Sequence, residues 1–364
     1  MRDKCRKIID HIGLPRMIII GFFLFMLLLA GPLGLNVQSL LGDAVRRWAM
    51  YGILVLAMVP AVQSGIGLNF GISLGIVAGL IGATFTIEMG ITNAFLSILL
   101  AMTIALLLGS LFGVGYGLLL NRVKGSEMTV STYVGFSVIA FMNMFWLSLP
   151  YKSGELIWPL GGQGMRNTIS LQSSFGHVFN SIGDFSMGFR GGKFYLTPGD
   201  DKFGFYVPTG LIVVFLLSCF MVWLFMRSKA GMAMSAAGAN AQFTKASGIE
   251  VNKMRILGTA LSTALAAVGI IVYAQSYGFL QLYNAPLMMG FHSVAAVLIG
   301  GASIRRAKIS HVILGAFLFQ GILAVALPVT NKILPEGNIS DVIRIIISNG
   351  IILYALSKTK GGAK

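Results

Sequence analysis

The chain reads as an all-α, polytopic transmembrane helix bundle of about ten spans. Of its 364 residues, 56% are hydrophobic and 11% charged, and the mean hydropathy is +0.83, whereas soluble chains carry roughly 25% charged residues. Apolar runs recur along its whole length, each close to the ~20 residues that cross a hydrocarbon core. The basic residues gather in alternate connections between those runs, as membrane orientation requires.

Taken in order, the runs fall at residues 17–34, 46–64, 68–88, 93–120, 128–149, 207–226, 255–276, 287–304, 309–329 and 339–357. A basic head precedes the first, and no small-x-small cleavage site stands before Asn36, so this run reads as an uncleaved span. With the N-terminus inside, ten crossings leave both termini cytoplasmic. They also place 18 of the 27 Lys and Arg residues on the inner side. The net charge of +15 therefore lies almost wholly on one membrane face, and nucleic acid is not needed to explain it.

One permease-like domain over residues 1–364 is expected, with two long polar connections inside it. Residues 150–206 fall outside and are rich in turn signals, with aromatic residues between Gly161–Gly164, Gly188–Gly192 and Pro198–Asp201. They read either as a connector with short interfacial helices or as an outer lid or docking surface. Residues 228–254 fall inside. Within them Ala233–Ala246 is expected to form a short helix with Ala236, Ala237 and Ala239 as small residues and Phe243 as an apolar knob, closed by Ser247 and Gly248. Such a knob suits a groove in a soluble partner.

Glycine marks two spans as broken. The third carries Gly67, Gly71, Gly75 and Gly79 at intervals of four, and the eighth carries the pair Gly300 and Gly301. Such glycines either let helices approach closely or permit unwinding beside a cavity. In ten spans split five and five, the third and eighth are counterparts of opposite direction, which points to two inverted-topology halves.

The chemistry is that of a conduit. All twelve Asp and Glu residues lie in loops or near helix ends, which argues against proton or sodium coupling. Neutral polar residues enter the spans instead, and Gln63, Asn69, Ser73, Asn143, His292 and Gln320 are candidates to line a path for a hydroxylated neutral solute. Each is equally suited to an interhelical hydrogen bond. No Walker A, HExxH or GxSxG pattern is present, and His11, His177, His292 and His311 lie on separate segments, so no catalytic residue and no metal site is expected. Cys5 and Cys219 lie at different depths and predict no disulfide.

Three stretches carry a family resemblance. GANAQFTKASGIEV, Gly238 to Val251, resembles the coupling segment of permeases of bacterial ABC importers of the ribose, galactose and branched-chain amino acid type, with Gly238, Asn240, Ser247, Gly248, Ile249 and Val251 in place. HSVAAVLIGGAS, His292 to Ser303, resembles that family's IGG segment, and SGIGLNFGIS, Ser64 to Ser73, resembles its early motif more faintly. The chain departs from the pattern at Gly67 and His292, where the family has acids, and at Ile304–Ala307, where it has a glycine-rich turn.

The resemblance implies a non-enzymatic permease subunit in the bacterial cytoplasmic (inner) membrane. Its partners would be two cytosolic ABC ATPase subunits that bind ATP and magnesium, a second permease subunit, and an extracytoplasmic solute-binding protein. The solute would be a sugar or nucleoside. Gly238, Asn240, Phe243, Lys245, Ser247 and Gly248 would couple to the ATPase. An ion-coupled secondary transporter, or an integral membrane enzyme or channel, is the alternative reading.

Overall fold

A computed structural model describes residues 14–158, 164–190, 193–283 and 285–333, with 346 and 350 besides. The transmembrane part is helical throughout. Helix α1 spans Leu14–Ala30, α2 Val37–Leu56, α3 Met58–Gln63, α4 Ser73–Glu88, α5 Ala94–Arg122 and α6 Glu127–Ser148. After the long polar connection come α7 (Thr209–Arg227), α8 (Lys229–Ala239), α9 (Ala241–Ala246), α10 (Val251–Tyr277), α11 (Ala285–Ile299) and α12 (Ile309–Ile333). Among the described residues, seven segments are long and apolar enough to cross a membrane, α2 and α3 counting as one and a 3-10 turn at Phe70–Ile72 extending α4, while α1 and α11 are shorter apolar helices. The expected tenth span, residues 339–357, lies outside the described residues.

Local chemistry sets the helix ends. The Asn36 side chain accepts from the amides of Gln38 and Ser39, and Asn93 does the same for Phe95 and Leu96, so each satisfies first-turn donors that lipid cannot. At the far end of α10, Gly278 adopts φ 85°, a left-handed stop. Hydroxyls inside the spans turn back on their own helices: Thr84, Thr86, Thr259 and Thr263 donate to carbonyls one turn earlier.

The helices sort into an inner and an outer set. In the most apolar stretch of α2–α3, 78% of residues are buried within the protein, against 28% in α5, α6 and α7. The outer set presents Leu107, Leu111, Phe141, Met144, Val213 and Met221 on its free faces, as lipid-facing helices do. Helix α10 runs through the middle, flanked by two glycine ladders. A Cβ on Gly75 or Gly79 of α4 would strike the Thr263 and Ala267 carbonyls, and one on Gly109, Gly113 or Gly117 of α5 would meet Thr263, Ala260 or Thr259. Backbone approach through small residues is how helices associate where the hydrophobic effect gives no drive.

The connections gather at two ends. At one, which we call the basic end, lie the α3–α4, α5–α6, α7–α10 and α11–α12 connections, with Arg122, Lys124, Arg227, Lys229, Lys245, Arg305, Arg306 and Lys308. The other carries two small sheets. Strand β1 (Thr168–Ser170) pairs antiparallel with β5 (Phe279–Gln281), tying the long connection to the end of α10. Strands β2 (Phe185–Arg190), β3 (Lys193–Pro198) and β4 (Phe205–Val207) form an antiparallel sheet in the order β3-β2-β4. This corrects the expected short interfacial helices: FSMGFR and KFYLTP alternate residue by residue, which suits strands.

Three expected helix bounds are also corrected. The second span, expected from residue 46, begins at Val37, where Asn36 caps it. The eighth span, expected to reach residue 304, ends at Ile299 because Gly301 takes φ 95° and a Cβ on Gly300 would strike the His311 carbonyl. The single helix expected at Ala233–Ala246 is two. Asn240 is extended at φ −151°, and its side chain accepts from the Phe243 amide at 3.0 Å, ending α8 and capping α9 in one residue.

Candidate functional site: an exposed basic loop seated on an unwound connection

The second and third spans are joined at the basic end by a short unwound connection between Gln63 and Phe70. Gly65 and Gly67 have φ of 82° and 90°, a region open to glycine at little strain, so the chain unwinds there before the Phe70–Ile72 turn starts α4. Gly71, Gly75 and Gly79 lie beyond the connection and serve packing; a Cβ on Gly71 would meet the Tyr116 ring.

Three segments close on this connection. From α8, Gly238 comes backbone to backbone: a Cβ on Gly65 would lie 2.8 Å from the Gly238 Cα, and one on Gly238 would strike the Gln63 carbonyl. From the α11–α12 connection, the Ala307 carbonyl accepts the Gln63 side-chain amide, and the Ile304 side chain sits 3.2 Å from where a Gly67 Cβ would be. From α10, Gly258 lies against Ser64, and Ser262 accepts from Asn69 at 2.9 Å.

The face of α8 turned inward is Gly231, Met234 and Ala237, spaced by three. Beyond Asn240 the chain turns outward. Phe243 is 69% exposed, and Gln242, Lys245, Ala246, Ser247 and Gly248 are exposed with it, while Thr244 is buried and donates to the Asn240 carbonyl. Gly248 takes φ 80°, turning the chain into α10. Lys124, Gln242, Lys245, Ile249 and Asn252 line an open groove beside α9. At its root, Arg255 pairs with Glu127; their side chains are 10% and 15% exposed, so α6 and α10 are joined by an almost buried ion pair.

Among the described residues, the six residues expected along a path have different surroundings. Asn69 is fully buried, its amide given to Ser262 and its carbonyl accepting from the Tyr116 hydroxyl at 3.1 Å, so both ends are committed. Ser73 donates to the Pro286 carbonyl at 2.9 Å and borders a narrow cleft between α4, α6 and α11, with Phe70, Thr132, Phe136 and Phe291 around it. His292 faces the other way, 3.4 Å from the Tyr51 hydroxyl, with its ring on Phe319. Gln63 is at the basic end. Asn143 is half-buried on α6 without a hydrogen bond among the described residues, and Gln320 on α12 is 3% exposed with its amide nitrogen unpaired among them.

Sequence reasoning missed Tyr116, Ser262, Tyr51 and the Glu127–Arg255 pair. The four-residue spacing of Gly109, Gly113 and Gly117 was there to be read; the partners across the fold were not.

These features define a class: a many-spanning helix bundle with an unwound connection at its basic end, on which a wet loop is seated. Comparison with known proteins makes the class specific. A family model described as the branched-chain amino acid transport system / permease component matches residues 40–349, and the chain belongs to that family. It is similar to a nucleoside ABC transporter permease protein of Lactococcus lactis, 31% identical over 97 residues, covering 26% of each chain. It is also similar to a galactofuranose transporter permease protein of Escherichia coli, 29% identical over 119 residues, covering 32% of this chain and 35% of the relative. An autoinducer 2 import system permease protein of Shigella flexneri is 30% identical over 89 residues, 24% of this chain and 26% of the relative. The matches therefore span about a quarter to a third of these curated relatives. No solved structure matches the chain significantly.

Proposed function

We propose that the chain is the transmembrane permease subunit of an ATP-binding-cassette importer, forming the path for a small neutral solute, a sugar or nucleoside. The observation that carries the reading is the seat of α8 on the unwound Gln63–Phe70 connection, with the exposed Phe243 and Lys245 one short helix away. Family membership and the nucleoside and galactofuranose relatives support it.

In this reading the basic end is cytoplasmic and the membrane is the bacterial inner membrane, with both termini inside. Two ATPase subunits bind ATP and magnesium and receive α9 through Phe243, with Asn240, Lys245, Ser247 and Gly248 fixing its angle. A second permease subunit and an extracytoplasmic binding protein complete the assembly. The chain itself performs no covalent chemistry and binds no cofactor. Residues 1–364 act as one domain, with 150–206 outside and 228–254 as the coupling loop.

The mechanics follow from rigid contact. Closure of the ATPases pushes α9; the Asn240 cap passes the push to α8; Gly238 delivers it to Gln63–Gly65, where unwound backbone bends at low cost. Movement there shifts the Asn69–Tyr116–Ser262 clasp and the Ser73 cleft. The two five-span halves are read as an inverted pair, with α4 and α11 as the counterpart spans beside the path.

Co-expression with candidate ATPases tests this. An ATPase should co-purify with the full chain and be lost when residues 236–251 are replaced by a Gly/Ser linker of equal length. Uptake and association both unchanged in that variant would end the reading.

A further inference from the structure

The three-stranded sheet is built inside out. The register puts Phe185, Met187 and Phe189 on one face with Phe194 and Leu196. Strand β4 adds Phe205 and Val207 to that face. The opposite face carries Ser186, Gly188, Tyr195 and Tyr206. In a sheet that shows one face to water, the apolar side packs on the protein. Here the polar side does so. Ser186 is fully buried, donating to the Gly199 carbonyl and accepting from the Asp201 amide, and the Tyr206 backbone packs against Gly42 of α2. The apolar side is bare toward the β2–β3 turn, where Phe189 is 68% exposed, Phe194 59% and Leu196 61%, while Phe185, Met187, Phe205 and Val207 are half-buried.

The height and direction of that face are set by what the sheet is attached to. It packs sideways on the first turns of α2, beside Gly42, Asp43 and Arg46, and Asn36, the cap of α2, donates to the Phe203 carbonyl. The α2–α3 span holds 27 residues, about 40 Å of helix against ~30 Å of hydrocarbon, so its charged first turns stand in the headgroup layer. Strand β4 ends at Val207, and after Pro208 the apolar α7 begins at Thr209, which pins the sheet to the membrane surface. Phe189 borders an open groove with Leu35, Asn36, Val37 and Gln38, so the bare end of that face stands at the level of the α2 cap, in the headgroup layer.

We infer that the Phe189–Phe194–Leu196 face of the sheet is immersed in the lipid interface, extending the apolar surface of the bundle upward into the headgroup and acyl boundary. Aromatic side chains favour this layer, and an apolar face laid into it is held by burial of its area. Lys193, exposed beside Phe194, has a headgroup phosphate within the same layer to meet. A soluble partner that docks and leaves would return three large apolar side chains to water on every cycle, whereas lipid covers them throughout.

Nitroxide accessibility in the full-length chain tests this. Phe194→Cys, Leu196→Cys and, on the other face, Thr197→Cys are made separately in a Cys5→Ser, Cys219→Ser background, spin-labelled and reconstituted into phosphatidylcholine–phosphatidylglycerol vesicles. Power saturation then compares collisions with oxygen and with a water-soluble nickel chelate. Labels at 194 and 196 are expected to meet oxygen more than nickel, and the label at 197 to meet nickel more than oxygen. Two results overturn the inference: nickel dominating at 194 and 196, which places the face in water, or both reagents excluded there, which places it against a second copy or another protein.

Discussion

Gly238 and Gly65, 173 positions apart in the chain, meet backbone to backbone, the Gly238 Cα lying 2.8 Å from where a Gly65 Cβ would be. One belongs to the exposed basic loop and the other to the unwound connection between the second and third spans. No side chain intervenes, so displacement of α8 is felt by the unwound backbone directly.

That contact predicts a graded effect of alanine. Gly65→Ala adds left-handed strain of about 1–2 kcal/mol and a clash with Gly238, while Gly90→Ala, at φ 63° with nothing within 4 Å, adds the strain alone. Both variants should melt lower than wild type in detergent. Only Gly65→Ala should also reduce solute taken up per ATP hydrolysed; an equal ratio in the two variants would dissociate the contact from coupling.

Asn69 is predicted to act as a clasp. Asn69→Leu leaves the Tyr116 hydroxyl without its buried acceptor and Ser262 without its donor, a loss of about 1–3 kcal/mol for a stranded buried group. Thermal unfolding should show that loss, while the ranking of competing sugars and nucleosides in an uptake assay stays as in wild type. A changed ranking with unchanged stability would instead put Asn69 on the path.

The Glu127–Arg255 pair is predicted to be far more sensitive to removal of one charge than of both. Arg255→Met strands a carboxylate that is only 15% exposed, and such losses run to about 3–5 kcal/mol. Glu127→Gln combined with Arg255→Met should recover most of the folded yield and melting temperature. If the double variant is as unstable as Arg255→Met, the pair is not what joins α6 to α10.

The spans were legible in the sequence because hydropathy and length are properties of a segment by itself. Nine of the ten expected runs overlap described helices, and the turn between the second and third spans was marked by Gly65 and Gly67. The α8–α9 corner was hidden because Asn240 sits in a run of helix formers, and only its capping of Phe243 reveals the turn. Pairings such as Glu127 with Arg255, 128 residues apart, leave no local trace. The outer sheet was obscured for a different reason. Its turn residues drew attention from the period-two alternation of Phe185–Arg190, and its reversed polarity makes sense only once α2 shows which side faces the protein.

The coupling claim rests most directly on Phe243. The measurement is ATP hydrolysis and solute uptake together, in proteoliposomes holding the chain, its co-purifying ATPase and the cognate binding protein, for wild type and Phe243→Ala. Because Phe243 is 69% exposed, its truncation should leave the chain folded and binding-protein docking intact. Wild-type uptake should require ATP, and the variant should lose most uptake per ATP hydrolysed. Uptake in the absence of ATP or ATPase, or an unchanged ratio in the variant, would contradict the account.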